Sequence, residues 1–463
     1  MIRYFLLMIT ITNGGVYMNK KALSFSQILT IGLMLFALFL GAGNMIFPPF
    51  LGQQAGEHVW IGIIGFLITG VGLPLLGVIA IAKSGGDLQT LANRVHPLFG
   101  LIFTIVMYLA IGPFFGIPRT GTVAYEIGVI PFLPEEAAKY GAPLLIYTII
   151  FFGLTAWLAM NPSKLVDRIG KILTPSLILI LTILVVKSII SPMGDFGTPH
   201  EAYQDGPLFK GFIEGYLTMD TIAALVFGIV VINSIKDRGI TSKSSLTRIT
   251  IIAGFIAAAG LALVYLSLSY IGASSTDSIG AQANGGAILS AAASHLFGSM
   301  GTIILGLAIT FACITTSVGL VSACSQYFAK ILPVSYPKLV IIISVFSMII
   351  ANIGLTQLIA VSLPVLIFIY PLAIVLILLS FMHNGFNGYS LVYVGALIPT
   401  GLISLIDGIK TAGVDVTAVS QSLEFLPFYT QGIGWLVPAM IGAIIGFVIA
   451  ALAGQTKRII EAS

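Results

Sequence analysis

From Leu339 to Ile406 the chain carries no Asp, Glu, Lys or Arg, and only His383 interrupts the run with a side chain that can become positive near neutral pH. Comparable charge-free stretches cover Ala22 to Gly56, Ile249 to Thr276 and Phe425 to Thr456. Each holds at least one apolar run of about 20 residues, the length at which a helix spans a hydrocarbon core of about 30 Å. Lipid offers backbone N–H and C=O groups no partner, so such runs must pair internally as helices, and the alternating pattern of a membrane barrel is absent. Only 8% of the 463 residues are charged and 57% are apolar, whereas soluble domains average about 25% charged. The chain is therefore read as an all-α integral membrane protein.

Charged and Pro/Gly-rich interruptions divide it into about twelve transmembrane helices, at 26–48, 59–82, 98–128, 142–160, 169–190, 212–235, 247–271, 299–328, 339–353, 356–381, 390–406 and 433–453. Pro113 and Pro118 predict a kink in the third. The small-residue stretch from Asp277 to Ser294 reads as an external loop with short helices. With the N-terminus inside and twelve crossings, the 21 basic residues fall on the cytoplasmic side except Arg119, Lys139, Lys187, Lys210 and Lys410. That bias places both termini in the cytoplasm. The loop from Asn161 to Lys171 is assigned only topology and lipid contact.

Residues 1–25 are expected to be an N-terminal cytoplasmic segment. Met18-Asn19-Lys20-Lys21 resembles a start placed just before the first span, so 1–17 read as an upstream extension in preference to a cleaved signal peptide. Residues 26–453 form a single transport domain, and 454–463 a cytoplasmic tail. Cys313 and Cys324 lie in one apolar segment and are read as small buried residues, not a disulfide. Scattered basic residues give no nucleic-acid face.

The first span contains an anomaly. Leu33 to Leu40 form good helix, but Gly41-Ala42-Gly43-Asn44-Met45-Ile46-Phe47-Pro48-Pro49 do not. A helix broken at membrane depth frees N–H and C=O groups, tolerated only where they are buried in protein or bind something. Freed N–H groups suit a carboxylate and freed carbonyls suit a cation. A packing groove is the alternative use of such glycines. The sixth span has a matching defect, where Gly215-Tyr216-Leu217-Thr218-Met219-Asp220 meets an apolar helix. An acid at that depth marks a functional site unless it serves as a structural partner, for a helix end or for Arg119. Spans one to five (26–190) and six to ten (212–381) each open with their interrupted helix, and five is odd. That is the signature of an inverted repeat with its binding site near the midplane, followed by two extra helices at 390–453.

Gly-Ala-Gly-Asn-Met-Ile-Phe-Pro-Pro at 41–49, Gly-Ile-Pro-Arg-Thr at 116–120 and Gly-Tyr-Leu-Thr-Met-Asp at 215–220 resemble the bacterial branched-chain amino acid:cation symporter family. The likeness runs from about Leu23 to the C-terminal region. It implies a LeuT-type 5+5 inverted repeat plus two C-terminal helices, in a multi-pass protein of the bacterial cytoplasmic membrane. It also implies uptake of leucine, isoleucine and valine with sodium as coupling ion, and no other cofactor.

In the wider LeuT-type superfamily a sodium lies between the first and eighth helices, held by carbonyls of the first and an Ala-x-x-Thr/Ser-Ser/Thr element of the eighth. Ala312, Thr315 and Thr316 match that element, and the same pattern puts Ala37 and Leu40 as carbonyl donors. Taken alone, hydroxyls in a helix more often bond back to the preceding turn. The substrate carboxylate is expected near Gly41, Ala42, Gly43 and Asn44. Its ammonium is expected near Thr218, Met219 and Asp220, with Phe39, Tyr108 and Phe227 as walls. Arg119, deep in the third span, is assigned to an outer gate or to a structural ion pair with Glu126, seven residues on.

An enzyme would need a metal or nucleophile constellation, and no His-Glu-x-x-His, Gly-x-Ser-x-Gly or paired intramembrane aspartates occur. A channel would show a repeated filter or rings of charge. The serious rival is a transporter of the same fold that is proton-coupled or takes another small neutral amino acid. No obligate protein partner is evident.

Overall fold

The computed structural model describes residues 23–134, 136, 141–160 and 162–454, with side chains in the last range from residue 175 onward. The N-terminal extension, the tail after Gly454 and the side chains of the 161–171 loop therefore lie outside the described residues.

Each of the twelve expected spans contains helix. The first span is divided into α1 (Phe25–Phe39) and α2 (Ala42–Ala55). The second is α3 (Val59–Leu67) and α4 (Leu73–Ser84), joined by a π turn at Ile68–Gly72. The third is α5 (Pro97–Leu109) and α6 (Gly116–Gly128). Then come α7 (Gly141–Ala159) and α8 (Pro162–Ile190). The sixth span is α9 (Pro207–Glu214), a 3-10 turn at Gly215–Thr218 and α10 (Asp220–Lys236). It is followed by α11 (Lys243–Ile279), α12 (Gly285–Ile331), α13 (Tyr336–Ala351), α14 (Leu355–Met382), α15 (Ser390–Thr411) and α16 (Leu436–Leu452).

The kink of the third span falls at Gly112, whose φ/ψ of −85°/−121° is not helical, with Pro113 beside it. Pro118 instead sits in the first turn of α6, where a missing N–H costs no helix bond. The seventh span reaches eight residues past its expected end, to Ile279. α12 bends at Gly298 (φ 64°), which separates a short helix from the spanning part that begins at the expected 299.

One boundary differs in kind. The run 41–49 was expected to be poor helix throughout, yet helix resumes at Ala42 and continues through Pro48 and Pro49 to Ala55. The prolines remove the helix N–H donors to the Asn44 and Met45 carbonyls, and α11 packs closely along this stretch of α2. Ser269 Oγ donates to the Pro48 carbonyl at 3.0 Å, and there is no room for a methyl at Gly52 or Gly272 where the two backbones meet.

The far end of α2 is sealed. Gln53 Nε2 donates to the Gly280 carbonyl at 3.1 Å, and Gln53 Oε1 accepts from the Gln282 N–H at 2.8 Å. Gly285, at the start of α12, packs directly on the Ile46 carbonyl. At the other end α1 buries Ile31, Leu35 and Phe36 against its neighbours and turns Phe25 and Leu33 outward.

Candidate functional site

The break of the first span is two residues long. Leu40 ends α1 with its N–H on the Phe36 carbonyl at 2.8 Å, leaving the last carbonyls of α1 without intrahelical partners. Gly41 then turns the chain in an extended conformation (φ −117°, ψ −165°), and its N–H donates to Asn44 Oδ1 at 2.8 Å. In the sixth span Met219 adopts a left-handed conformation (φ 63°), rare for a side chain of its size, and the two half-helices bend by 44°.

The breaks meet. A methyl on Gly43 would lie 3.1 Å from the Thr218 carbonyl, so any side chain there would crowd this backbone approach. Asn44 Nδ2 donates to Asp220 Oδ2 at 2.8 Å. Tyr265, from the middle of α11, donates its hydroxyl to the same oxygen and accepts from Asn44 Nδ2. Asn44, Asp220 and Tyr265 are all at most 2% exposed. Three spans are thus joined by one polar network whose members satisfy each other.

Beside this network lies a small cavity of about 50 Å³. Phe39, Gly41, Ala42, Gly43, Asn44, Thr218, Met219, Asp220 and Phe227 line it, as do Arg119 and Thr316. Leu38, Ile111, Gly116, Thr120, Ala223 and Leu320 complete the wall.

A family model described as "Branched-chain amino acid transport protein" matches residues 24–453. The chain belongs to this family. It is 54% identical over 446 residues to the branched-chain amino acid permease BraB of Bacillus subtilis (strain 168), covering 96% of this chain and 100% of that one. It is 47% identical to the branched-chain amino acid transport system 2 carrier protein of Pseudomonas aeruginosa, covering 93% and 98% respectively. Among solved structures it is similar to the inward-facing conformation of Mhp1, with a TM-score of 0.55, 16% identity and coverage of 92% and 91%. A closed conformation of Mhp1, a nucleobase-cation-symport-1 family transporter with bromovinylhydantoin bound, gives a TM-score of 0.58 at 14% identity, covering 93% of each chain. These likenesses establish a LeuT-type fold for this member of the branched-chain family.

Nine of the ten expected substrate residues come together around the cavity. Tyr108 does not: it lies outside the lining and stacks on Tyr327 with ring centroids 4.0 Å apart, because the kink at Gly112 separates α5 from the half of the span that faces the breaks. Ile111 and Gly116, on either side of that kink, line the cavity in its place.

The expected ion pair between Arg119 and Glu126 is not formed. Both lie on α6, two turns apart, and helical side chains lean toward the N-terminus in parallel, so they do not converge. Arg119 instead donates through Nη1 to the Leu217 carbonyl and through Nη2 to Ser362 Oγ of α14 at 3.1 Å, with its guanidinium over the Phe47 ring at 5.1 Å. Glu126 accepts from Asn284 Nδ2 at 2.8 Å, and Asn284 Oδ1 caps α12 through the Ala287 N–H at 3.0 Å. Glu126 is therefore an anchor for the start of α12.

Of the expected cation ligands, Thr316 borders the cavity: a methyl on Gly41 would lie 3.2 Å from its Cγ2. Thr315 Oγ1 donates to the Ala312 carbonyl at 2.8 Å, the back-bond that helical hydroxyls commonly make. Ala37, Leu40, Ala312 and Thr315 lie outside the cavity wall. Among the described residues no cluster of His, Cys, Asp and Glu is arranged to hold a metal. Cys313 and Cys324 are buried free thiols. Tyr265, Ser362 and Asn284 were not singled out from the sequence. A tyrosine hydroxyl in the middle of the charge-free α11 segment was the signal for the first.

Proposed function

We propose that this protein imports leucine, isoleucine and valine across the bacterial cytoplasmic membrane, coupled to sodium, by alternating access. The observation that carries the reading is the meeting of two helix breaks around one buried cavity, joined through Asn44 and Asp220. Its apolar wall of Phe39, Ile111, Ala223, Phe227 and Leu320 suits an aliphatic side chain. The N–H groups that open α2 suit the carboxylate. The carbonyls around Thr218 and Met219, with Asp220, suit the ammonium.

The coupling sodium is assigned to the carbonyls of Ala37, Leu40 and Ala312 with the hydroxyls of Thr315 and Thr316. The proximity of Thr316 to Gly41 supports this placement, since it brings α12 to the open end of α1. Residues 26–190 and 212–381 form the two repeats and 390–453 the extra helices. Both termini face the cytoplasm, between the segments 1–25 and 454–463. In that orientation the sealed end of α2 is external and α1 lies on the cytoplasmic side. Sodium and substrate couple because each favours the same state.

The test is uptake of labelled leucine into proteoliposomes under inward gradients of sodium, protons or neither, competed by valine, isoleucine, alanine and lysine. Sodium-driven uptake blocked by valine and isoleucine, and lost in Thr315→Ala with Thr316→Ala, is the expected result. Uptake driven by protons alone removes the sodium assignment. Uptake blocked by alanine as well as by valine broadens the substrate to small neutral amino acids.

A further inference from the structure

One basic and one acidic side chain border the small cavity, and neither meets a group of opposite sign. Arg119 and Asp220 are each 2% exposed. The partners of Asp220 are Asn44 and Tyr265, and those of Arg119 are the Leu217 carbonyl, Ser362 and the face of Phe47. Among the described residues no ion pair joins the two. A charge at this depth with only neutral partners is costly, and the cost is recovered when a ligand supplies the counter-charge. A cavity with a guanidinium and a carboxyl group on its wall complements a molecule that carries both an acidic and a basic group.

The Arg119 guanidinium lies between the two breaks. Its Nη1 is on the Leu217 carbonyl of the sixth-span break, and the Phe47 ring that carries it also touches Gly43, whose methyl would lie 3.5 Å from Phe47 Cε2. A guanidinium has five N–H donors; Nη1 and Nη2 of Arg119 each hold a partner, while its buried Nε has none. Guanidinium groups receive carboxylates through a fork of two such N–H donors.

We propose that Arg119 is a substrate-binding residue that takes the carboxylate of the zwitterionic amino acid, together with the N–H groups at the start of α2. Asp220 then faces the ammonium. This rests on the cavity being the transport site and replaces the gating role assigned to Arg119 from the sequence. The ligand class is an α-amino acid with both groups free, and an amine or a carboxylic acid alone leaves one wall charge unmet.

The experiment measures binding of leucine and of leucinamide, which lacks the carboxylate, to the purified full-length protein. Wild type should prefer leucine by roughly 10- to 100-fold, the size expected for hydrogen bonds between charged groups. Arg119→Gln should lose most of that preference by weakening leucine while leaving leucinamide within about threefold. Equal weakening of both ligands, with the preference intact, overturns the assignment and leaves Arg119 a structural tie between α6, the sixth-span break and α14. If Arg119→Gln does not fold, Arg119→Lys decides the question, because it keeps the charge and loses the fork. A reduced preference supports the proposal and an unchanged one overturns it. Absence of leucine binding to wild type overturns the transport reading as well, so the two failures are distinct.

Discussion

Asn44 Nδ2 donates to Asp220 Oδ2 at 2.8 Å, joining two helix breaks 176 positions apart in sequence. The bond makes α2 and α10 one body, and Tyr265 extends that body to α11 by donating to the same carboxylate oxygen. Half-helices that drifted independently would lose the cavity between them.

Tyr265→Phe removes one of two donors to a buried carboxylate without changing the packed shape. A hydrogen bond to a charged group contributes about 1.5–3 kcal/mol, so the variant should melt measurably earlier and bind leucine less tightly. Thermal melting of the purified protein with and without leucine checks this. An unchanged melt would mean that the network does not hold the breaks together.

Gly43→Ala should damage transport more than Gly41→Ala. The new methyl at 43 would meet the Thr218 backbone carbonyl at 3.1 Å, which cannot move without displacing the sixth-span break. At 41 it would meet the Thr316 side chain at 3.2 Å, which can rotate. Strain from overpacking is typically about 1–3 kcal/mol, enough for a fall of roughly tenfold or more in leucine affinity for the first variant. Equal effects would argue that the Gly43 approach is not needed for binding.

Asn284→Ala should loosen the sealed end. It removes the cap of α12, a loss of about 1 kcal/mol, and also the bond to Glu126. The readout is the rate at which a cysteine placed at Ile46, 1% exposed beneath the start of α12, reacts with a water-soluble thiol reagent. Faster labelling than in the otherwise unaltered protein is expected. Unchanged labelling would place the seal elsewhere.

His383 sits just past the end of α14, with Nδ1 2.9 Å from the Tyr393 hydroxyl. Burial, and then the nearby Arg94 and Lys243, lower its pKa from 6.5 to about 4. The folded protein thus refuses a proton that the unfolded chain accepts. Stability is at its full value above pH 6.5 and is lost progressively as pH falls toward 4. His383→Gln should show a smaller drop in melting temperature between pH 7 and pH 5 than wild type. An equal drop would assign the acid sensitivity to other groups.

The spans were legible because lipid imposes one rule on every residue in them: apolar side chains and internally paired backbone. The breaks at Leu40–Gly41 and Met219 were legible for the converse reason, since Gly-Ala-Gly-Asn and an acid at depth violate that rule. The length of the first break was not, because the stretch through Pro48–Pro49 is packed against α11, whose contacting residues lie more than 200 positions away.

The sequence by itself determined the membrane-spanning helical class and the positions of the two interruptions, and it picked out nine residues that line the cavity between them, because local propensity and the solvent act on each segment separately. Only the tertiary structure decided which polar groups meet. Tyr265 completes the Asn44–Asp220 link, Asn284 takes Glu126, and Leu217 and Ser362 hold Arg119. It also turned Tyr108 away from the cavity through the bend at Gly112. The physical reason is that a buried polar side chain finds its partner by direction and distance across packed helices, and neither quantity is written in the spacing of residues along one of them.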